Sequence, residues 1–183
     1  MMNKAKLTVA LALIAASFAY ADAPSHTAGW RNALRQQLPI LGHRNWVVVA
    51  DSAYPAQTSP GITTIETGAS QLEVVQEVLR QLGTSVHVAP IIYIDKELNT
   101  LNDKLVPGIG RYKKDLFKTF KGRQVQGVLH SDLIGKLDES GKTFKVLILK
   151  TNMAMPYTSV FFNLDCKYWG PAKEKQLRDL MKK

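Results

Sequence analysis

The sequence has very little cysteine: Cys166 is the only one among 183 residues. A disulfide within these residues is therefore impossible, and no Cys-x-x-Cys pair is present to hold a structural zinc ion. The motifs His-Glu-x-x-His and Gly-x-Ser-x-Gly are absent as well, so the sequence does not support a zinc metalloprotease or an α/β-hydrolase. We expect the lone thiol to be a buried side chain rather than a nucleophile.

Phosphate-binding loops are also missing. The stretch "GIGRYK" (108–113) has two glycines at Gly-x-Gly spacing, but it lacks the third glycine of the dinucleotide fingerprint and follows no strong strand. The sequence therefore predicts no nucleotide cofactor, and no metal motif takes its place.

Long hydrophobic runs are absent except at the N-terminus. There, Lys4 and Lys6 precede an apolar run from Leu7 to Phe18, and Ala19-Tyr20-Ala21 forms an A-x-A cleavage site. These three regions in this order are typical of a secretory signal peptide. The apolar run is shorter than the roughly 20 residues of a membrane-spanning helix. We therefore expect residues 1–21 to be removed and the protein to be exported, periplasmic or secreted, without a membrane span.

The remaining chain, residues 22–183, is predicted to be one domain, because it has no linker, repeat or low-complexity tract. Without Lys4 and Lys6 its net charge is +7, and much of the excess lies in 111–123 and in the C-terminal tail. Such a charge could bind a polyanion. However, no nucleic-acid motif accompanies the charge. Helical spacing favours a solvated lysine face beside an apolar stripe that faces the core and consists of Tyr112, Leu116, Phe117 and Phe120.

Hydrophobic periodicity predicts an alternation of strands and helices. Ser70 and Glu73 have the spacing of a capping box at the start of one helix, and Pro90 indicates a strand edge or a bulge. The predicted strands are 45–51, 62–66, 86–95, 124–130, 143–151 and 157–165, and the predicted helices are 27–41, 70–82, 95–105, 111–121 and 170–183. The alternation predicts an α/β fold with a mostly parallel central sheet flanked by helices.

The most informative stretch is "LGHRNWVVVADSAYP" (41–55). His43 precedes a continuous apolar strand and Asp51 follows it. His130 also stands at a strand boundary, where loops and ligand sites gather in α/β domains. By contrast, His87 starts an apolar strand and is predicted to be structural. Taken singly, each of these residues is more often structural than catalytic, since an aspartate after a strand commonly caps a turn.

Three segments together resemble a known family. The stretch 41–55 is similar to the L-G-H-x-[DN]-x-[IV]-x-[IV]-x-D-x-x-x-P segment of the D-ribose pyranase / L-fucose mutarotase family. "MPYTSVFF" (155–162) resembles the C-terminal strand of that family, and "VLHSD" (128–132) resembles its histidine segment. The resemblance implies an isomerase that interconverts ring forms or anomers of a small aldose such as ribose or fucose, with no cofactor or metal.

The resemblance also assigns roles to residues. His43 stands where the family has its proton-donating histidine, and Asp51, His130 and Tyr157 stand at sugar-contacting positions. Ser159, which we also expect to contact the sugar, replaces an asparagine that the family often has, and serine is shorter and lacks the amide. That departure leaves the sugar open. It also leaves an alternative open, namely a non-catalytic monosaccharide-binding or scaffold protein on the same fold.

The spacing of His43 and Asp51 predicts how the site is assembled. Eight residues of extended chain separate them by roughly 25 Å, which one small sugar cannot bridge. If both contact a sugar, His43 of one subunit must meet Asp51 and Tyr157 of its neighbour. The ring-like oligomers of the family agree with this arrangement. We therefore predict a homo-oligomer with sites between subunits, a monosaccharide substrate and no nucleic-acid partner.

Overall fold

The structure is a computed structural model that describes residues 26–182; the predicted signal peptide, 1–21, lies outside them. A short 3-10 helix, Lys96–Asn99, follows the third strand. The helices are α1 His26–Gln37, α2 Gln71–Thr84, α3 Ile109–Thr119, α4 His130–Thr143 and α5 Pro171–Leu180. The strands are β1 Trp46–Ala50, β2 Ile62–Glu66, β3 Val88–Asp95, β4 Val125–Val128, β5 Val146–Lys150 and β6 Val160–Cys166.

The six strands form one sheet in the order β2-β5-β1-β6-β3-β4. The pairs β1–β5, β2–β5 and β3–β4 are parallel, whereas β6 runs antiparallel to both of its neighbours. Five strands therefore point in one direction and only β6 points in the other. The predicted α/β class with a mostly parallel sheet is confirmed.

Strand β1 lies inside the sheet and is buried on both faces, as its unbroken apolar run predicts. Val47 and Val49 belong to the larger core with α1, α2 and α3. Trp46, Val48 and Ala50 face the other way and pack against Leu133 and Leu137 of α4. The domain thus has three layers, and β1 delivers its first and last residues to opposite edges of the sheet.

Three predictions about the elements need correction. The helix predicted over 95–105 is limited to the 3-10 helix Lys96–Asn99. The Asn102 side chain accepts the backbone N–H groups of Lys104 and Leu105, and this turn takes the place of further helix.

Helix α4 was not predicted, because its sequence is rich in the weak helix formers Gly, Ser, Asp and Thr, and only two of its aliphatic side chains, Leu133 and Leu137, are buried. Strand β3 is not an edge strand, although Pro90 indicated an edge or a bulge. Because β4 pairs only with Ile92–Asp95, Pro90 lies beyond the end of β4 and needs no hydrogen bond on that side.

Three local predictions also need correction. Ser70 is the N-cap residue of α2, but its side chain makes no capping hydrogen bond, and Glu73 instead pairs with Arg31. In α3 and the residue that ends it, Tyr112, Leu116 and Phe120 are buried as predicted, whereas Phe117 is exposed. Cys166 is half-buried at the end of β6 rather than fully buried.

The C-terminal helix α5 begins at Pro171 as predicted, with proline in its first turn, and it buries none of its residues. Within residues 26–182, no helix has the length and hydropathy needed to cross a membrane.

Candidate functional site

One edge of the sheet gathers most of the predicted site residues. Strands β1, β3 and β4 run parallel, so their carboxyl ends meet at the same edge. Asp51 follows β1, Asp95 ends β3 and His130 follows β4 by two residues. Because β6 is antiparallel, its first residues lie at this edge too, preceded by Tyr157 and Ser159. We call these five residues the carboxyl-edge cluster.

Asp51 is held by its neighbours rather than free to move. Ser159 is 0% exposed, and its hydroxyl donates to Asp51 Oδ2 at 2.9 Å. The other oxygen, Oδ1, accepts the backbone N–H of Ala53 at 3.0 Å, which is the turn-capping role expected of an aspartate after a strand. The carboxylate is therefore oriented on both oxygens and stays only partly exposed.

His130 is held by two carboxyl groups. Its ring Nδ1 lies 3.0 Å from Asp95 Oδ1. Its backbone N–H donates to both carboxylate oxygens of Glu97, each at 3.1 Å. Because His130 is the first residue of α4, the Glu97 carboxylate also lies at the positive end of the helix dipole. Both the ring and the backbone of His130 are thus fixed.

The carboxyl-edge cluster concentrates negative charge in a partly buried place. Burial raises the pKa of Asp95 to about 6; the charges of Glu97 and Asp51 act in the same direction, whereas His130 opposes them. Tyr54, in the loop after Asp51, is buried, and burial raises the pKa of its phenol with further contributions from nearby carboxylates. The cluster therefore favours a cationic or proton-donating group in contact with it.

Tyr157 forms a wall beside His130. The two rings meet edge to face, with 5.5 Å between their centroids and 84° between their planes. Tyr157 adopts a left-handed backbone conformation, with φ of 58°, and its side chain is 36% exposed. A non-glycine residue in that region is strained and persists only where its surroundings impose it.

The surroundings that impose it are a buried polar network behind the cluster. The carbonyl of Thr158 accepts hydrogen bonds from Gln71 Nε2 at 2.9 Å and from the Tyr112 hydroxyl at 2.7 Å. Gln71 also donates to the Val49 carbonyl at 2.9 Å and accepts from the Thr151 hydroxyl at 2.6 Å. Helices α2 and α3 therefore fix the backbone between Tyr157 and Ser159.

His43 lies at the opposite edge of the sheet, which we call the amino edge. The Gly42 N–H donates to Asn45 Oδ1 at 2.7 Å, and the Arg44 N–H donates to the Leu164 carbonyl at 2.8 Å. The turn is thus fixed on both sides of His43, whose own side chain is exposed. Among residues 26–182 the His43 ring has no hydrogen-bond or ion-pair partner. One chain therefore does not bring His43 to the carboxyl-edge cluster.

Of the predicted site residues, the structure brings together Asp51, His130, Tyr157 and Ser159. Their contact with a sugar stays a prediction. Asp95 and Glu97 were missed, although Asp95 carries the same signal as Asp51, a carboxylate directly after a predicted parallel strand. No group of three or more potential metal ligands is found in the described part of the chain.

Two further predictions concern His87 and the basic segment. His87 is structural as predicted: its ring nitrogens lie 3.0 Å from the Leu41 carbonyl and 3.1 Å from the Ser85 hydroxyl. The basic segment 111–123 overlaps α3, whose apolar face is part of the larger core. A core-facing stripe therefore accounts for its apolar spacing.

The fold is similar to that of solved structures with bound sugars. RbsD of Bacillus subtilis, solved with D-ribose, matches with a TM-score of 0.51 and 17% identity over 71% of this chain and 88% of that chain. The fucose mutarotase of Streptococcus pneumoniae, solved with L-fucose, matches with a TM-score of 0.48 and 17% identity over 78% of this chain and 96% of that chain. No protein-family profile and no curated protein matches the sequence. The predicted resemblance to the D-ribose pyranase / L-fucose mutarotase family is therefore confirmed at the level of the fold.

Proposed function

We propose that this protein is an exported, divergent member of the pyranase/mutarotase family, which interconverts ring forms or anomers of a small aldose without a cofactor. The observation that carries this proposal is the carboxyl-edge cluster, where oriented carboxylates, a fixed histidine and an exposed tyrosine ring lie at one edge of the sheet. These are the groups that bind and orient a small polyhydroxylated ring. The RbsD fold supports the same sugar class.

The reaction needs only proton transfers. Opening the ring of a reducing sugar requires one proton delivered to the ring oxygen and one removed from the anomeric hydroxyl, and closing it requires the reverse. A histidine with a pKa near 6.5 can do either at neutral pH. In this proposal His43 is the main acid/base, and Asp51, His130 and Tyr157 bind the sugar. Ser159, being buried, acts by holding Asp51.

The position of His43 makes the proposed site an intersubunit one. His43 and Asp51 stand at opposite ends of β1, too far apart to contact one sugar from the same chain. His43 is also exposed on a turn that its own backbone contacts hold in place. A second copy of the chain can therefore receive it. The proposed assembly is a homo-oligomer in which each site combines the amino edge of one subunit with the carboxyl edge of another.

The test is saturation-transfer NMR on ribose, fucose and other aldoses, in which the protein accelerates exchange between anomers. We expect wild type to accelerate exchange for at least one sugar and His43→Ala to lose the acceleration by about 10²-fold or more. His26→Ala, a histidine substitution at the start of α1, is the matched control. Exchange no faster than in buffer for every sugar would refute the enzymatic proposal. Calorimetric sugar binding under those conditions would then select the non-catalytic sugar-binding alternative.

A further inference from the structure

Asp95 is an unusual residue for the interior of this domain. It is 0% exposed, yet it is a carboxylate with a single hydrogen-bonding partner among residues 26–182, the ring of His130. Its second oxygen, Oδ2, is buried without any partner in the described residues. Burying a carboxylate in this way costs stability, and packing alone does not repay that cost. The contact with the His130 ring is therefore where we look for the role of Asp95.

That contact fixes the tautomer of His130. An ionised carboxylate only accepts hydrogen bonds, so the Nδ1 atom facing Asp95 must carry the proton. In a neutral imidazole the other nitrogen, Nε2, is then left with a free lone pair. The Nε2 atom has no hydrogen-bond partner in the described part of the chain, and the His130 side chain is 34% exposed. His130 is therefore prepared to accept a proton from a bound molecule.

We propose that Asp95 is a positioning residue that holds His130 as a second acid/base of the site; this inference rests on the proposed aldose interconversion. His130 Nε2 takes the proton of the anomeric hydroxyl while the bond between the anomeric carbon and the ring oxygen breaks. The ring oxygen takes a proton from His43 of the neighbouring subunit, which gives the open-chain aldehyde. Closure reverses these transfers. Asp95 keeps its negative charge throughout and stabilises the imidazolium.

The surroundings of His130 fit this role. Glu97 fixes the backbone position of His130, so only the side-chain torsions of the ring are left to be set. Tyr157 limits the ring from one side by its edge-to-face contact. Asp95 then sets the remaining rotation of the ring. Two contacts on the ring and one on the backbone are more than a solvent-facing residue at a helix start requires, and they provide the preorganisation that proton transfer needs.

The first test reads the tautomer and not the activity. With ¹⁵N-labelled histidine, long-range ¹H–¹⁵N NMR at a pH where His130 is neutral is expected to show the proton on Nδ1 in wild type. Asp95→Leu removes the acceptor, and Asp95→Asn replaces it with an amide; we expect both to shift the proton toward Nε2. Glu97→Gln, which changes the backbone contact and removes a nearby charge but leaves the Asp95 carboxylate facing the ring, is expected to leave the proton on Nδ1. A wild-type proton on Nε2, or no change in Asp95→Leu, would overturn the inference.

The second test measures sugar exchange with the same variants. Asp95→Asn is expected to lower kcat by about 10²-fold while KM changes by less than about threefold. Asp179→Asn, an exposed aspartate substitution on α5, is the matched control and is expected to keep full activity. Wild-type activity that survives unchanged in a folded Asp95→Asn overturns this inference alone. No activity in wild type overturns the proposed function and, with it, the acid/base role of His130.

Discussion

The two edges of the sheet present their polar groups in opposite ways. At the carboxyl edge, side chains hold one another: Ser159 fixes Asp51, and Asp95 fixes His130. At the amino edge, the backbone of the turn is held, while the His43 side chain is exposed. The first edge therefore presents a set of polar side chains that are held in place, and the second presents an exposed histidine whose ring is not held by any described residue. Each edge holds half of what the proposed reaction needs.

A single strand, β1, separates the two edges. It is fully buried, and its two neighbours β5 and β6 pair along its length. One strand therefore cannot bring His43 to Asp51 of the same chain. In the proposed assembly the chain supplies each half to a different site, and closed symmetric assembly is the ordinary way to reunite such halves.

The largest expected effect comes from mixing two inactive variants. His43→Ala disables the amino edge and His130→Ala disables the carboxyl edge, and each is expected to lose activity by about 10²-fold or more. If subunits exchange at equal ratio, about a quarter of the intersubunit sites in a closed ring receive both intact edges. The mixture is therefore expected to recover exchange activity, measured by saturation-transfer NMR.

The control for this experiment is each variant mixed with fresh copies of itself, which must recover nothing. Size-exclusion chromatography with light scattering should show an oligomer for both variants. Recovery no greater than the sum of the two residual activities, despite demonstrated subunit exchange, would contradict an intersubunit site.

The next effect concerns the polar network that supports only the carboxyl edge. Gln71→Leu removes hydrogen bonds from two buried carbonyls and from the Thr151 hydroxyl. We expect the free energy of unfolding, measured in urea, to fall by about 2–4 kcal/mol. Gln76→Leu, on the exposed face of the same helix, is expected to change it by less than about 0.5 kcal/mol. Equal effects of the two substitutions would show that the network does not stabilise the edge.

Much of this fold could be predicted from its sequence, and the reason is periodicity. The continuous apolar run of β1 and the alternating strand signals specify a sheet whose parallel strands place Asp51 at an edge. Helix α4 could not be predicted in this way, because its fully buried aliphatic side chains are only Leu133 and Leu137, set among glycines and polar residues. Packing on the sheet stabilises this helix, and its intrinsic helix propensity alone would not.

The candidate site was predictable only in part. His130 and Tyr157 were identified by resemblance to a family, whereas Asp95 was available from the strand pattern and was not singled out. Its role depends on a contact with His130, thirty-five residues away. The sequence did not single out Gln71 or Tyr112 as part of the site. A glutamine that begins a helix and a tyrosine on an apolar stripe are common, and their shared partner, the Thr158 carbonyl, is known only from the fold. Long-range partners of this kind are set by the fold.

A smaller effect concerns the pH dependence of stability. The pKa of Asp95 is about 6 in the folded protein, above its ordinary value near 3.8, because burial disfavours the charged form. Between those values the folded state binds more protons than the unfolded state, so stability falls as pH rises through this window. Asp95→Leu is expected to lose that slope, and its stability relative to wild type should rise from pH 4 to 6 and then level off.

Urea titrations at a series of pH values measure this difference. Asp115→Leu is the matched control, since that aspartate is partly exposed on α3, which packs on the opposite face of the sheet from α4. If the free energy of unfolding changed with pH in the same way in wild type and in Asp95→Leu between pH 4 and 6, the pKa of Asp95 would not be raised by folding.

The smallest effects compare one short side chain at each edge. Ser159→Ala removes the hydroxyl that donates to Asp51, and Asn45→Ala removes the acceptor of the Gly42 N–H beside His43. Each is expected to lower the free energy of unfolding by about 1 kcal/mol, as measured in urea. Their kinetic effects should differ, because in the proposed site Ser159 orients the sugar-binding carboxylate of Asp51, whereas Asn45 holds the turn that carries the acid/base His43. Ser159→Ala should therefore raise KM more than it lowers kcat, and Asn45→Ala should do the reverse. The same KM effect from both substitutions would remove the functional distinction between the two edges.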